Sequence, residues 1–132
     1  EETAWVFLGM IAATQGHTAE ALQHYRQALN QNPDSIEANI NLANLLITAP
    51  DMAMRNPAEA IRFADHACQE TNYNRPDLLN TLAAAYYSAG RNEEAVQVAE
   101  HALKLPGLTP ALRDQMTQNL KLFRAPPSNE QP

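Results

Sequence analysis

An internal repeat constrains this chain more than any other feature of its sequence. Trp5-Val6-Phe7-Leu8-Gly9-Met10-Ile11-Ala12 is followed by Gly16, Ala21, Tyr25, Ala28 and Pro33. Leu79-Asn80-Thr81-Leu82-Ala83-Ala84-Ala85-Tyr86 is followed by Gly90, Ala95, Ala99 and Ala102. Leu8 to Gly16 and Leu82 to Gly90 are both 8 residues, and the next step, to Ala21 and to Ala95, is 5 in both. A third copy, Asn39-Ile40-Asn41-Leu42-Ala43-Asn44-Leu45-Leu46, lies between them, with Leu42 34 residues after Leu8. Its second half (Ala60, Phe63, Ala64, Ala67) comes 39 residues after that of the first copy, so the middle copy carries five extra residues within 49–57. A unit this short buries its apolar face only by stacking on its neighbours, which specifies a solenoid.

Each copy holds two amphipathic stretches. Ala21, Leu22, Tyr25, Ala28 and Leu29 recur at i, i+1, i+4, i+7 and i+8, one face of an α-helix. Gly16 and Gly90 sit between the two stretches, where a left-handed residue ends one helix before the next begins. Asp34 before Ser35, and Asn56 before Pro57, mark helix starts. The spacing predicts helices over 3–15, 18–31, 35–48, 57–71, 76–89 and 92–105. After Pro106-Gly107, Thr109-Pro110 opens a seventh over 109–124. Leu112, Met116, Leu120 and Phe123 form one stripe on that otherwise polar helix, suited to closing the open end of the last repeat. The polar, proline-rich 126–132 is expected to be disordered.

Composition agrees with helix on helix. The apolar fraction is 45 % and rich in Ala and Leu, while aromatics are only 6 %. Small side chains let helices approach closely, and the Val/Ile/Thr runs that strands favour are absent. The net charge of −6 comes without a Lys/Arg cluster. That argues against nucleic acid, whose phosphates must be neutralised, and against an anionic membrane surface. The uninterrupted apolar runs, such as Trp5–Leu8, are far too short to span a bilayer. Cys68 is the single cysteine, so no intrachain disulfide forms. The chain opens Glu-Glu-Thr without an initiator Met or a signal pattern, and is expected to be a segment or processed form of something longer. The compartment stays open.

The pattern W-x2-L-G-x2-Y, then A, F/Y, A and P over 34 residues, resembles the tetratricopeptide repeat. The first copy matches at Trp5, Leu8, Gly9, Gly16, Ala21, Tyr25, Ala28 and Pro33, with Ala12 in place of Tyr. The third matches at Leu82, Tyr86, Gly90, Ala95 and Ala102, with Leu79 for Trp and Ala83 for Gly. The second is the most degenerate. The resemblance covers about 2–106. It implies an all-α fold, a right-handed α-solenoid of three helix hairpins plus a capping helix (about seven helices). One domain would then span 1–125, with repeats at 2–34, 35–75 and 76–106.

No catalytic constellation is expected. His17, His24, His66 and His101 are scattered, no H-x3-H or H-E-x-x-H pair occurs, and His66 and Cys68 point to different sides of one helix. Metal ligation is therefore not expected, and the histidines read as solvated. Cys68 aligns with Leu29 and Leu103 and reads as a core thiol. Trp5 and Tyr25 read as core. Glu93-Glu94 reads as favouring a helix N-terminus. Phosphate-binding glycine motifs are absent, and no cofactor or small-molecule substrate is expected.

The resemblance places the binding surface on the first helices of successive repeats. The lining would be Thr3, Val6, Met10 and Ala13; then Glu37, Ile40, Asn41, Asn44 and Ile47; then Asp77, Asn80, Thr81, Ala84, Tyr87 and Ser88. This face has no Lys or Arg, unlike the carboxylate-clamp members of the family, which grip acidic chaperone C-termini. It offers Asn41, Asn44 and Asn80 amides beside Met10, Ile40, Ile47 and Tyr87. Amides suit an extended peptide backbone, and apolar neighbours suit its anchors. Asn41 and Asn44 also resemble the asparagines lining the array of O-linked N-acetylglucosamine transferase. The insertion presents Met52 and Met54 on a loop, a second candidate contact.

The expected function is a non-enzymatic scaffold for a protein or peptide partner. The alternative is a non-catalytic C-terminal accessory domain of a larger enzyme, since the insertion and final helix look similar to the ends of bacterial tetratricopeptide proteins, some fused to membrane-bound glycosyltransferase-like proteins. Self-association through the N-terminal repeat edge, near Trp5, Phe7 and Leu8, is a third expectation.

Overall fold

The structure is a computed structural model and describes residues 1–125, so the expected disorder of 126–132 lies outside the described residues. Seven α-helices follow one another: α1 (Glu2–Thr14), α2 (Thr18–Gln31), α3 (Ile36–Thr48), α4 (Pro57–Glu70), α5 (Pro76–Ser88), α6 (Asn92–Leu103) and α7 (Pro110–Arg124). A single 3-10 turn, Met52–Met54, interrupts the connection from α3 to α4. Helices α1–α2, α3–α4 and α5–α6 pack as hairpins, and α7 lies against α6 and the edge of α5. The fold is an all-α solenoid of helix hairpins closed by a final helix.

The helix starts are capped by side chains where the sequence offers an oxygen. Ser35 Oγ accepts from the Ala38 amide at 3.2 Å, Asn56 Oδ1 from Glu59 at 3.1 Å, and Thr109 Oγ1 from Leu112 at 3.1 Å. The expectation for Asp34 is corrected. Ser35 caps α3, and the Asp34 carboxylate turns outward to His66. Glu93 and Glu94 do not cap α6 either; Glu94 pairs with Arg91 at 2.6 Å.

The hairpin turns depend on glycine. Gly16 and Gly90 take φ of +81° and +80°. That left-handed step lets the next amide close onto a carbonyl five residues back: His17 N donates to Ala12 O, and Arg91 N to Tyr86 O, both at 2.8 Å. The middle hairpin does without it. Its five extra residues carry the chain outward, and Asn56 N returns to Leu46 O at 2.8 Å while Arg55 Nε donates to Ala49 O at 2.7 Å.

Within each hairpin the two helices touch at one pair of register positions. In the first the pair is Gly9 and Tyr25; in the others it is Ala43 with Ala64 and Ala83 with Ala99. All six are buried. A Cβ on Gly9 would come within 2.4 Å of the Tyr25 ring. One hairpin thus fills the space with a large residue against none, and the other two with two small ones.

Between hairpins, α2 packs on α3 and α4 on α5. The first helices also touch laterally, α1 with α3, α3 with α5, and α5 with α7, whereas the second helices make no comparable contact. The odd-numbered helices are therefore the crowded inner layer, and the even-numbered ones fan outward. Among the described residues no helix is long and apolar enough to cross a membrane.

Candidate functional site

The inner layer presents side chains in rungs. One turn along, Met10 of α1, Asn44 of α3 and Ala84 of α5 occupy equivalent positions, as do Ala13, Ile47 and Tyr87 one turn further. Met10 and Asn44 are exposed; Asn41, Ile47, Asn80 and Tyr87 are half-buried. Ile40 does not belong with them. It is 8 % exposed and packs in the core, because the α1–α3 contact closes over it. Val6 and Thr81, expected in the lining, are likewise buried.

The capping helix engages the C-terminal third of this face. Asn119 Nδ2 of α7 approaches Asn80 Oδ1 at 3.4 Å, and the Phe123 ring lies on Tyr87 with centroids 5.1 Å apart. Thr81 Oγ1 likewise reaches Asn44 Oδ1 at 3.4 Å, linking α5 to α3. Asn80 and Tyr87 thus have internal partners, which the linear sequence could not show across 39 and 36 residues. Tyr87 and Phe123 also wall a broad cleft of about 1050 Å³ between the α5–α6 turn and the end of α7.

The N-terminal part is open. Thr3, Val6, Phe7 and Met10 with Glu2 and Glu37 line a cleft of about 250 Å³ between α1 and α3. Phe7 was missing from the sequence-derived lining; 58 % of it is exposed. Its signal was the lack of a polar face on α1, which is apolar on every side. The upper rim of this face is acidic, with Glu2, Glu37 and Asp77 in the first turns of α1, α3 and α5. Glu2 is held below the usual carboxylate range by Ser35 and by Asn32, whose Nδ2 donates to it at 2.6 Å. Burial pushes Asp77 up, but the Arg75 guanidinium, 2.8 Å away, outweighs it and leaves Asp77 below its ordinary value.

On the insertion, Met52 is 72 % exposed and Met54 is half-buried, so the loop projects one methionine and tucks in the other. Asp51 Oδ1 accepts from the Ala53 amide at 3.0 Å and fixes the turn.

Cys68 is buried in the core, and burial, with the charges of Asp65 and Asp77 behind it, pushes its thiol up to about 12. A thiol of that kind is not a nucleophile at neutral pH. Tyr25 is buried, and Trp5 is half-buried against His24 at 5.5 Å. His66 is not a free solvated histidine. Its Nε2 lies 2.8 Å from Asp34 Oδ1, with Glu70 one turn on, and the three ligand atoms fall within 4.8 Å of one another. Asp34 comes from the previous repeat, 32 residues away, so no local motif announces the group. The His66–Asp34 ion pair accounts for the geometry.

Comparison with known proteins adds three findings. Two family profiles described as tetratricopeptide repeat match residues 2–45 and 77–105, together more than half the chain. A probable biofilm formation methyltransferase, WspC, of Pseudomonas putida is 41 % identical over 49 residues, 37 % of this chain but only 12 % of that protein. Among solved structures, MamA matches with a TM-score of 0.75 at 17 % identity, over 92 % of this chain and 61 % of MamA. The first repeat domain of Spaghetti (RPAP3), bound to the HSP90 peptide SRMEEVD, matches with a TM-score of 0.69 at 20 % identity, over 91 % of this chain and 95 % of that one.

Proposed function

This chain belongs to the tetratricopeptide repeat family, and we propose that it is a non-catalytic scaffold holding an extended peptide segment of a protein partner against its inner helix layer. The observation that carries the reading is the open, largely apolar stretch of that layer around Met10 and Asn44, beside a cleft deep enough for one side chain. Met10 and Phe7 offer an apolar anchor pocket. Asn44 and Asn41 offer amides to a peptide backbone. Ile40 supports this surface from beneath and is withdrawn from the contacts. Asn80 and Tyr87 contribute only where α7 leaves them uncovered. The single exposed methionine of the insertion, Met52, is a secondary contact; Met54 is not.

The partner's chemistry follows from charge. The RPAP3 domain holds an acidic peptide. Here the rim residues Glu2, Glu37 and Asp77 repel carboxylates, and the lining lacks Lys and Arg. A neutral or basic segment with one bulky apolar side chain fits better. The test is a photo-reactive cross-linker placed at Asn44, with one at Gln23 on the outer layer as control. Cross-linking of a partner from Asn44 alone supports the reading; equal yield from both positions refutes it.

A second reading has its own support. The short match to WspC covers 12 % of a protein described as a methyltransferase, so this chain also fits an accessory segment of a larger enzyme. Nothing favours the glycosyltransferase-like version of that reading.

A further inference from the structure

We propose that α1 is a self-association surface through which two copies of this chain pair about a two-fold axis. Ala4, Phe7, Leu8 and Ile11 form one stripe of α1, and Phe7, Leu8 and Ile11 are 58 %, 45 % and 53 % exposed. Their register equivalents elsewhere are covered. In α3 they are Ala38, Asn41, Leu42 and Leu45, and in α5 Leu78, Thr81, Leu82 and Ala85. Ala38 and Leu42 are fully buried beneath α2; Leu78, Leu82 and Ala85 are buried beneath α4. The stripe on α1 is thus a stacking face of the same kind, built to receive a helix.

Three observations point to α1 of a second copy as that helix. The stripe is symmetric in spacing: an axis between residues 7 and 8 sets Phe7 against Leu8 and the small Ala4 against the bulky Ile11 of the other copy. An antiparallel helix pair therefore alternates large and small side chains. Residues 3–16 carry no charge, so two copies meet there without repulsion despite a net charge of −6 each. The other end of the solenoid cannot serve, because α7 closes it with an outer face of Arg113, Asp114, Gln115 and Lys121. Contact between two N-terminal edges is then closed and stops at a dimer. The stripe exposes on the order of 400 Å² per copy, below the roughly 800 Å² of a standard interface, so the dimer is weak, dissociating at about 100 μM.

The inference does not rest on the groove reading, and its test separates the two. Sedimentation equilibrium of the full chain should show an average mass rising from 14.6 kDa towards twice that value between about 10 μM and 1 mM. Ile11→Glu, on the edge and outside the cleft, should remain monomeric with unchanged helicity. Met10→Glu, inside the cleft, should associate like the parent. A parent that stays monomeric throughout overturns the proposal and leaves the stripe to a further helix pair stacked on the same face. Association unaffected by Ile11→Glu overturns it as well.

Discussion

Replacing Gly9 with alanine should destabilise the protein, although alanine is the better helix former. A Cβ at this position would lie 2.4, 2.6 and 2.9 Å from three carbons of the Tyr25 ring. Carbon atoms rest at about 3.5 to 4.0 Å, so the ring must retreat by about an ångström. Tyr25 is 3 % exposed and has nowhere easy to go. Overpacking of this kind costs about 1–3 kcal/mol, and the helix gains back about 1 kcal/mol when Ala replaces Gly. A ring this tightly held places the clash at the upper end, leaving a net loss of about 1–2 kcal/mol. For a domain of this size that is a fall in Tm of roughly 4–8 °C. The assay is thermal and urea denaturation of four proteins: parent, Gly9→Ala, Tyr25→Ala and the double variant. Tyr25→Ala alone should cost about 3–5 kcal/mol by leaving a cavity. Adding Gly9→Ala to it should now stabilise, since the pair becomes Ala on Ala, as in the other two hairpins. The cycle should therefore show a favourable coupling of about 2–3 kcal/mol. A Gly9→Ala variant as stable as the parent, or strict additivity in the cycle, would refute the account of why this hairpin needs glycine.

The remaining predictions concern the core thiol and the closing helix. Cys68 should resist thiol reagents at pH 8 in the folded protein and react on unfolding. Its thiol is raised to about 12 when folded, whereas an unfolded one ionises near 8.5. Its contribution to stability is thus fully present below about pH 8.5 and falls as pH rises towards 12, by up to about 1.4 kcal/mol per unit. Tyr73 acts in the same direction. Burial, a hydrogen bond to Asp65 at 2.8 Å and the Asp65 charge raise it to about 12. A flat stability profile between pH 8 and 11 would contradict both. Phe123→Ala should cost about 3 kcal/mol, since that ring is 4 % exposed and covers Tyr87. Hydrogen exchange should then quicken first in α7 and the end of α5; uniform loosening would argue against a capping role.

Much of the fold was legible because its signals are local and periodic. Gly16 and Gly90 fall at the same place in two copies, and the structure puts both at positive φ. Thr109-Pro110 announced α7 to within a residue. The five-residue offset of Ala60 located the insertion, but not its 3-10 turn, which depends on Asp51 capping its own loop. The surface was less legible. Ile40 shares the periodicity of a lining residue, yet whether such a position faces solvent depends on how closely α1 approaches α3, which no spacing in α3 encodes. Asn80 and Tyr87 have partners 39 and 36 residues further on, contributed by a helix whose stripe revealed that it caps but not how far it reaches. Asp34 and His66 meet for a similar non-local reason. Phe7 was overlooked because a helix apolar on every side gives no direction.

The most direct test of the scaffold reading is capture from the source organism's lysate by three immobilised proteins. These are the parent, Met10→Glu with Asn44→Ala, and Met52→Glu. The account predicts a specific partner held by the parent and by Met52→Glu, and weakened about tenfold or more by the double variant, since it removes the anchor and the amide together. Equal retention by the double variant, with melting curves that show it folded, would contradict binding at the inner layer.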